Sequence, residues 1–357
     1  METAKYNLNI QRLIEDTFRG EKTLNALNIY SKGLINKNLP IILSKDHLAS
    51  LLGHPLNLIN NVIYSPESFY RSFYIPKKNN NGKRVIHAPK GILLDLQQKI
   101  YEYILSAIPV HEKATGYVAN KTIKDNAIPH LNTNEILKVD LKDFFPSINF
   151  NRVINVFLKA GYTRDISFSL ARICTLHNSL PQGAPTSPIL SNLIIKRLDI
   201  RLEKLSKKLK LNYTRYADDL TFSGDSITIS FLHYVKSIIN SEGFKVNKKK
   251  LRILRKSHKK VITGISITNN ELKVPREKKR IVRQAVYFIK KHGFLNHLEH
   301  IDRFDPIMLE KLLGYAYYWK FIEDSESSKS IISVLKLEIA KLNSSTSNLH
   351  THLEFVK

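Results

Sequence analysis

The stretch NYTRYADDLTFSG (212–224) sets two adjacent carboxylates, Asp218 and Asp219, among residues of high strand propensity: Tyr213 and Tyr216 before them, Leu220 and Phe222 after. It reads as two strands meeting at Ala217-Asp218-Asp219, which puts both carboxylates at a hairpin tip. Two like charges side by side are costly unless a cation neutralises them, and Mg²⁺ prefers such hard oxygen ligands. An isolated Asp-Asp pair at a turn is ordinarily a solvated tip. The neighbouring sequence therefore decides what this pair does.

Working outward, EILKVDLKDFFPSI (135–148) is a buried-strand pattern that runs into a turn broken by Pro146. Asp140 stands at the end of its apolar run, a third carboxylate emerging from a sheet. Three carboxylates so placed could hold two metal ions, one activating a 3′-hydroxyl and the other stabilising a leaving pyrophosphate. Between these segments, LPQGAPTSPILSNLIIKRLDIRLEKL (180–205) begins as a Pro/Gly/Ser-rich loop and becomes a helix marked at its start by Ser187-Pro188. Mixed strands and helices in this order predict an α+β fold, an antiparallel sheet with helices packed on it.

The ordered set of a strand Asp140 with Phe145 five positions on, then LPQGAPTSP, then YADD, resembles the palm of reverse transcriptases. The resemblance implies a right-hand polymerase fold with fingers, palm and a helical thumb. It implies catalytic roles for Asp140, Asp218 and Asp219, metal ligation by these three with the Leu141 carbonyl, and two Mg²⁺ ions as cofactors. Phe145 matches the aromatic that lies under the sugar and excludes a 2′-hydroxyl. Gln182 matches the glutamine lining the nucleotide pocket, and Gly183 would let backbone approach the substrate closely. Upstream, RSFYIPKKNNNGKRVIHAP (71–89) reads as a hairpin turning at Asn79–Gly82, with Lys77, Lys78, Lys83 and Arg84 on it. Lys77 and Arg84 suit charge-assisted contacts to a triphosphate, Arg84 with a bidentate fork.

Composition agrees with a polyanionic partner. Lys and Arg number 56 against 31 acidic residues, a formal net charge of +25. Hydrophobic residues make up 43% of the chain, enough for a folded core. The lone cysteine, Cys174, excludes an intramolecular disulfide and a Cys-based zinc site. No apolar run has the length of a signal peptide or a membrane span, so a cytoplasmic protein without a membrane partner is expected.

The domain organisation expected is a helical N-terminal region over 1–60, fingers over 61–135, palm over 136–270 with a finger insertion at about 151–180, and a helical thumb and tail over 271–357. Beyond Pro275 the pattern is helical, and the stretch Asn343 to Asn348 is expected to fray. Tyr315, Tyr317, Tyr318 and Trp319 could stack on bases or pack against minor-groove sugars, but their spacing suits a helix core equally well, and most of them are expected inside. The basic cluster Lys245, Lys248, Lys249, Lys250, Arg252, Arg255, Lys256, Lys259 and Lys260 lies where template–primer phosphates would run.

Two further strings, NAIPH (126–130) and VITGISI (261–267), resemble signatures of bacterial retron reverse transcriptases, as do SEGFKVNKKK (241–250) and LEKLLGYAYYWKF (309–321). Ile262 stands where Val is usual, and Leu251 where Thr often follows the motif lysine. The retron resemblance implies RNA binding at Asn126, His130, Thr263 and Gly264, and phosphate contacts at Lys248, Lys249 and Lys250 place those three in the same class. It implies dNTPs and a cognate structured non-coding RNA as substrates, DNA synthesis from the 2′-hydroxyl of an internal guanosine, and a branched RNA–DNA product. It further implies an antiphage role with an accessory effector protein. No spaced acidic quartet follows Pro275, so template removal is expected to fall to a host ribonuclease H. The competing readings are a group II intron or diversity-generating reverse transcriptase, and an RNA–DNA scaffold restraining a toxic effector with catalysis secondary.

Overall fold

The structure, a computed structural model, describes residues 3–18, 20–77, 82–255, 257–268, 270–294, 296, 298, 305 and 307–353. The chain forms two compact units, Met1–Lys121 with Leu137–Ile253, and Thr122–Ile136 with Leu254–Lys357. It passes from one to the other at three points, between 121 and 122 and within two strands named below.

In the first unit, helices Thr3–Thr17, Glu21–Ile35, Lys45–Leu52 and Leu56–Tyr64 fill the N-terminal region, as its apolar spacing predicts. Their ends follow local chemistry. Ser44 caps Lys45–Leu52 by accepting from the His47 amide, and Gly53 ends that helix at φ 66°, a conformation without steric cost only for glycine. Next come β1 (Tyr70–Pro76) and β2 (Lys83–Pro89), an antiparallel pair in register from Tyr70 opposite Pro89 to Pro76 opposite Lys83. Of the expected turn, Asn79, Asn80 and Asn81 lie outside the described residues, as does Lys78.

The central sheet has the order β4-β5-β3-β6, with β3 at Glu135–Asp140, β4 at Asn212–Tyr216, β5 at Asp219–Gly224 and β6 at Arg252–Leu254. Two of the three passages between units fall in β3 and β6. Leu220 to Gly224 of β5 are all buried, so this strand is covered on both faces and shows no polar alternation. Leu137, Val139, Leu198, Phe222 and Phe231 belong to one continuous core that also takes in the helices Phe150–Ala160 and Arg164–Cys174 through Phe157 and Leu170. Helix Ser187–Lys208 starts with proline in its first turn, where a missing amide costs nothing.

The second unit holds a small antiparallel sheet, β7 (Lys260–Ile262), β8 (Ile265–Thr268) and β9 (Glu271–Lys273), and the helices Arg276–His292, Met308–Ile322 and Glu326–Leu353. The last helix runs through 343–348, where fraying is expected from composition. The thumb aromatics also depart from expectation. Leu309, Leu312, Ala316, Trp319 and Ile322 form the buried stripe of Met308–Ile322, a 3–4 spacing that leaves Tyr315 and Tyr317 off it, 50% and 43% exposed. Only Trp319 of the four aromatics is fully inside. Among the described residues no helix is long and apolar enough to cross a membrane.

Candidate active site

The last pair of the β4–β5 ladder is Tyr216 with Asp219, so Ala217 and Asp218 form a two-residue turn. Ala217 sits at φ 55°. The Asp218 carbonyl accepts from the Leu141 amide at 3.0 Å, which ties this turn to the end of β3 beside Asp140. Asp140 is 4% exposed and fully engaged. Its backbone carbonyl takes the Asn247 amide at 2.8 Å, Oδ1 takes Asn247 Nδ2 at 2.9 Å, and Oδ2 takes the Lys250 ammonium at 2.6 Å.

Burial, then the charges of Asp140 and Asp219, push the Asp218 carboxyl up to about 6. Asp219 is raised too, chiefly by burial, with Asp140 adding to the shift while Lys138 and Lys250 oppose it. Burial works against the Lys250 charge, but the bond to Asp140 and the fields of all three aspartates outweigh it and hold the ammonium above the usual lysine range. One cation thus stands among three crowded carboxylates. Among the described residues no three such groups converge on one point as the side chains stand. The donor set nonetheless fits divalent metal: hard oxygens, mutual repulsion, and an ammonium already on Asp140 as a stand-in positive charge.

In front of Asp140 and Asp218 opens a cavity of about 1380 Å³. Lys77 and Arg84 of the β1–β2 hairpin line it, with Phe145, Gln182, Lys248 and Lys249. Asp219 and Gly183 are not on its wall. Gly183 acts beneath it: at φ 118°, a Cβ there would lie 2.8 Å from the His87 carbonyl oxygen, and the His87 amide donates to the Gln182 carbonyl at 2.7 Å. The loop carrying Gln182 is thereby pressed onto β2. Phe145 is half-buried, with its ring 5.3 Å from Phe144 and 6.4 Å from Tyr117.

The candidate RNA-binding residues divide. Lys248, Lys249 and Lys250 are all exposed on the cavity, and Lys250 alone of the three also bonds Asp140. Lys256 lies outside the described residues. Asn126, His130, Thr263 and Gly264 belong to the second unit. There Thr263 and Gly264 are the two-residue turn between β7 and β8, both at positive φ (44° and 84°), the sign that matches strand twist in tight hairpins. A β-branched residue pays sterically for that conformation, and the turn is braced: Asn126 Nδ2 lies 3.5 Å from Thr263 Oγ1, and the Tyr318 hydroxyl donates to the Gly264 carbonyl at 2.9 Å. Asn126 and His130 are fully buried, and burial takes the His130 imidazole down to about 3, so it is neutral at physiological pH.

Sequence reading passed over Asn247 and Tyr117. Asn247 interrupts the lysine run of KVNKKK, and Tyr117 adjoins a glycine, but neither signal specifies a partner distant in sequence.

A family model for reverse transcriptase (RNA-dependent DNA polymerase) matches residues 75–284. A Myxococcus xanthus retron Mx65 reverse transcriptase is 35% identical over 320 residues, covering 82% of this chain and 74% of that one. The Escherichia coli retron Ec86 reverse transcriptase is 35% identical over 283 residues, covering 78% and 88%. The chain belongs to the retron reverse transcriptases. As a retron reverse transcriptase it is an RNA-directed DNA polymerase, and the family match takes in β2, the central sheet and all three aspartates. A looser likeness, to a solved telomerase structure from Candida albicans, has a TM-score of 0.43 at 13% identity, with 80% of this chain and 65% of that one covered.

Proposed function

We propose that this retron reverse transcriptase copies part of a cognate structured non-coding RNA into DNA at the Asp140–Asp218–Asp219 site. The observation that carries the reading is the crowding of three aspartates, Asp140 and Asp218 of them on the cavity wall, with the Lys250 ammonium drawn in among them. These aspartates and the Leu141 carbonyl would hold two Mg²⁺ ions, which when bound activate the attacking hydroxyl and stabilise the leaving pyrophosphate. The chain's own residues do the rest. Arg84 and Lys77 hold the triphosphate, Gln182 lines the base and sugar pocket, and Lys248 and Lys249 take nucleic-acid phosphates. Phe145 stands where a 2′-hydroxyl would clash.

Priming from the 2′-hydroxyl of an internal guanosine, a branched RNA–DNA product, removal of template by host ribonuclease H and an antiphage role with an effector protein complete the proposal. The Thr263–Gly264 turn, braced by Asn126, is the part of the second unit assigned to RNA recognition. The support for these is the retron family itself.

Two experiments test the reading. Expression with the flanking non-coding RNA should yield a short single-stranded DNA whose 5′ end stays joined to a ribonucleotide by a 2′–5′ bond; a discrete DNA with no such joint would sink the priming mechanism. Separately, Phe145→Ala should cut discrimination against ribonucleotides by about tenfold or more, measured as the ratio of kcat/KM for dNTP and rNTP. An unchanged ratio would remove Phe145 from sugar selection.

A further inference from the structure

Beneath the turn that carries Asp218 lies a polar cluster sealed from solvent. The side chains of Arg215 and Asp199 are both 0% exposed. Arg215 Nε and Nη2 donate to Asp199 Oδ1 and Oδ2, each at 2.7 Å, and the Tyr213 hydroxyl donates to the same Oδ1 at 2.7 Å. The remaining donor, Nη1, reaches Asn192 Oδ1 at 2.9 Å and the Ala217 carbonyl at 3.0 Å. Asn192 in turn donates to the Gly116 carbonyl at 2.9 Å.

A buried ion pair is weak evidence of stabilisation, because desolvation offsets much of its attraction and apolar residues of similar volume often serve as well. Here the guanidinium does something an apolar residue could not. The Ala217 carbonyl belongs to the peptide that leads into Asp218, so a bond to it fixes the rotation preceding that carboxylate. The following peptide is held as well, through the Asp218 carbonyl and the Leu141 amide. From the other side Gly116 closes on Ala217, whose nitrogen would lie 2.8 Å from a Cβ at position 116. Ala217 is thus clamped in a positive-φ conformation that a non-glycine residue keeps only when its surroundings over-determine it.

We propose that Arg215 is the positioning residue of the catalytic turn. Locked by Asp199 and Asn192, it holds the Ala217–Asp218 peptide and keeps the Asp218 carboxylate in register with Asp140. The proposal rests on the reading of Asp218 as a catalytic carboxylate.

The test uses the complete chain extending a DNA primer on an RNA template, with kcat, dNTP KM and the Mg²⁺ concentration for half-maximal rate measured for each variant. Arg215→Lys keeps a buried cation for Asp199 and gives up the fork that reaches Ala217. The triple change Arg215→Met, Asp199→Leu, Tyr213→Phe replaces the ion pair with apolar groups, a type of exchange that preserves folding elsewhere. For whichever variants melt cooperatively, kcat should fall by about 10²-fold, the loss expected for a displacement near 1 Å, and the Mg²⁺ requirement should rise. The dNTP KM should stay within about twofold, since an interaction lost only in the transition state leaves substrate binding alone. A folded Arg215→Lys chain with parental kcat and Mg²⁺ dependence overturns the proposal and leaves Arg215 a core ion pair. If the parent chain itself fails to extend the primer, the reading of the site falls and the proposal with it.

Discussion

Asp218→Asn should yield a chain that folds, binds RNA, incorporates no measurable nucleotide and is more stable than the parent at pH 7.5 without divalent cation. The exchange keeps the side-chain shape and deletes one of three crowded charges. Folding lifts the Asp218 carboxyl from 3.8 to about 6, by burial first and then by Asp140 and Asp219. A group that binds its proton more tightly when folded favours the folded state below its unfolded pKa. That contribution is lost as pH rises through the folded value. At pH 7.5 both states are ionised and the folded state carries the penalty, of the order of 1–3 kcal/mol. Denaturant melts in chelator should therefore show Asp218→Asn above the parent at pH 7.5 and the gap closing toward pH 4. Mg²⁺ should raise the parent's midpoint and leave the variant nearly unmoved. Primer extension should fall by at least about 10²-fold, the scale for removing one preorganised electrostatic contact to a transition state. A variant no more stable than the parent at pH 7.5 would mean that the three carboxylates do not strain one another.

Gly183→Val should be the most damaging single change away from the aspartates. The φ of 118° excludes a β-branched residue, and any Cβ would sit 2.8 Å from the His87 carbonyl oxygen and 2.9 Å from Ile86 Cγ2. Backbone must give way, and the bond from the His87 amide to the Gln182 carbonyl goes with it. The expected cost is roughly 2–4 kcal/mol of stability, combining backbone strain with overpacking. In whatever fraction folds, the dNTP KM should rise, since Gln182 and the β1–β2 hairpin with Arg84 would no longer share one wall. Equilibrium unfolding and steady-state kinetics check the two parts. A Gly183→Val chain of parental stability would show that the loop does not press on β2.

The Asp218–Asp219 hairpin was legible because its information is local. Strand formers flank Ala217-Asp218-Asp219, and no other element is needed to see a turn there. The β1–β2 hairpin and the proline-led helix at Ser187 are legible for the same reason. Asp140 is different: that it meets Asp218 depends on strand order, which the resemblance supplied and periodicity did not. In sequence Lys250 belongs to a run of lysines suited to phosphates, yet its ammonium bonds Asp140, because the chain after β5 returns beside β3 and Asn247 pairs with the Asp140 backbone. Arg215 was silent in sequence, since an arginine in a strand looks like a surface charge until Asp199 of a separate helix is seen against it. The small β7–β8–β9 sheet was missed for want of length: strands of three or four residues give no periodicity to read. The spacing of Tyr315 and Tyr317 suits a helix core as well as a stacking face, and the buried stripe through Leu312, Ala316 and Trp319 bypasses them.

The most direct measurement is primer extension by the purified chain on an RNA template with Mg²⁺, run beside Asp140→Asn, Asp218→Asn and Asp219→Asn variants of matched stability and RNA affinity. DNA synthesis by the parent that is lost in all three variants is the result expected from three aspartates acting together at one site. Undiminished synthesis in any of the three would contradict it.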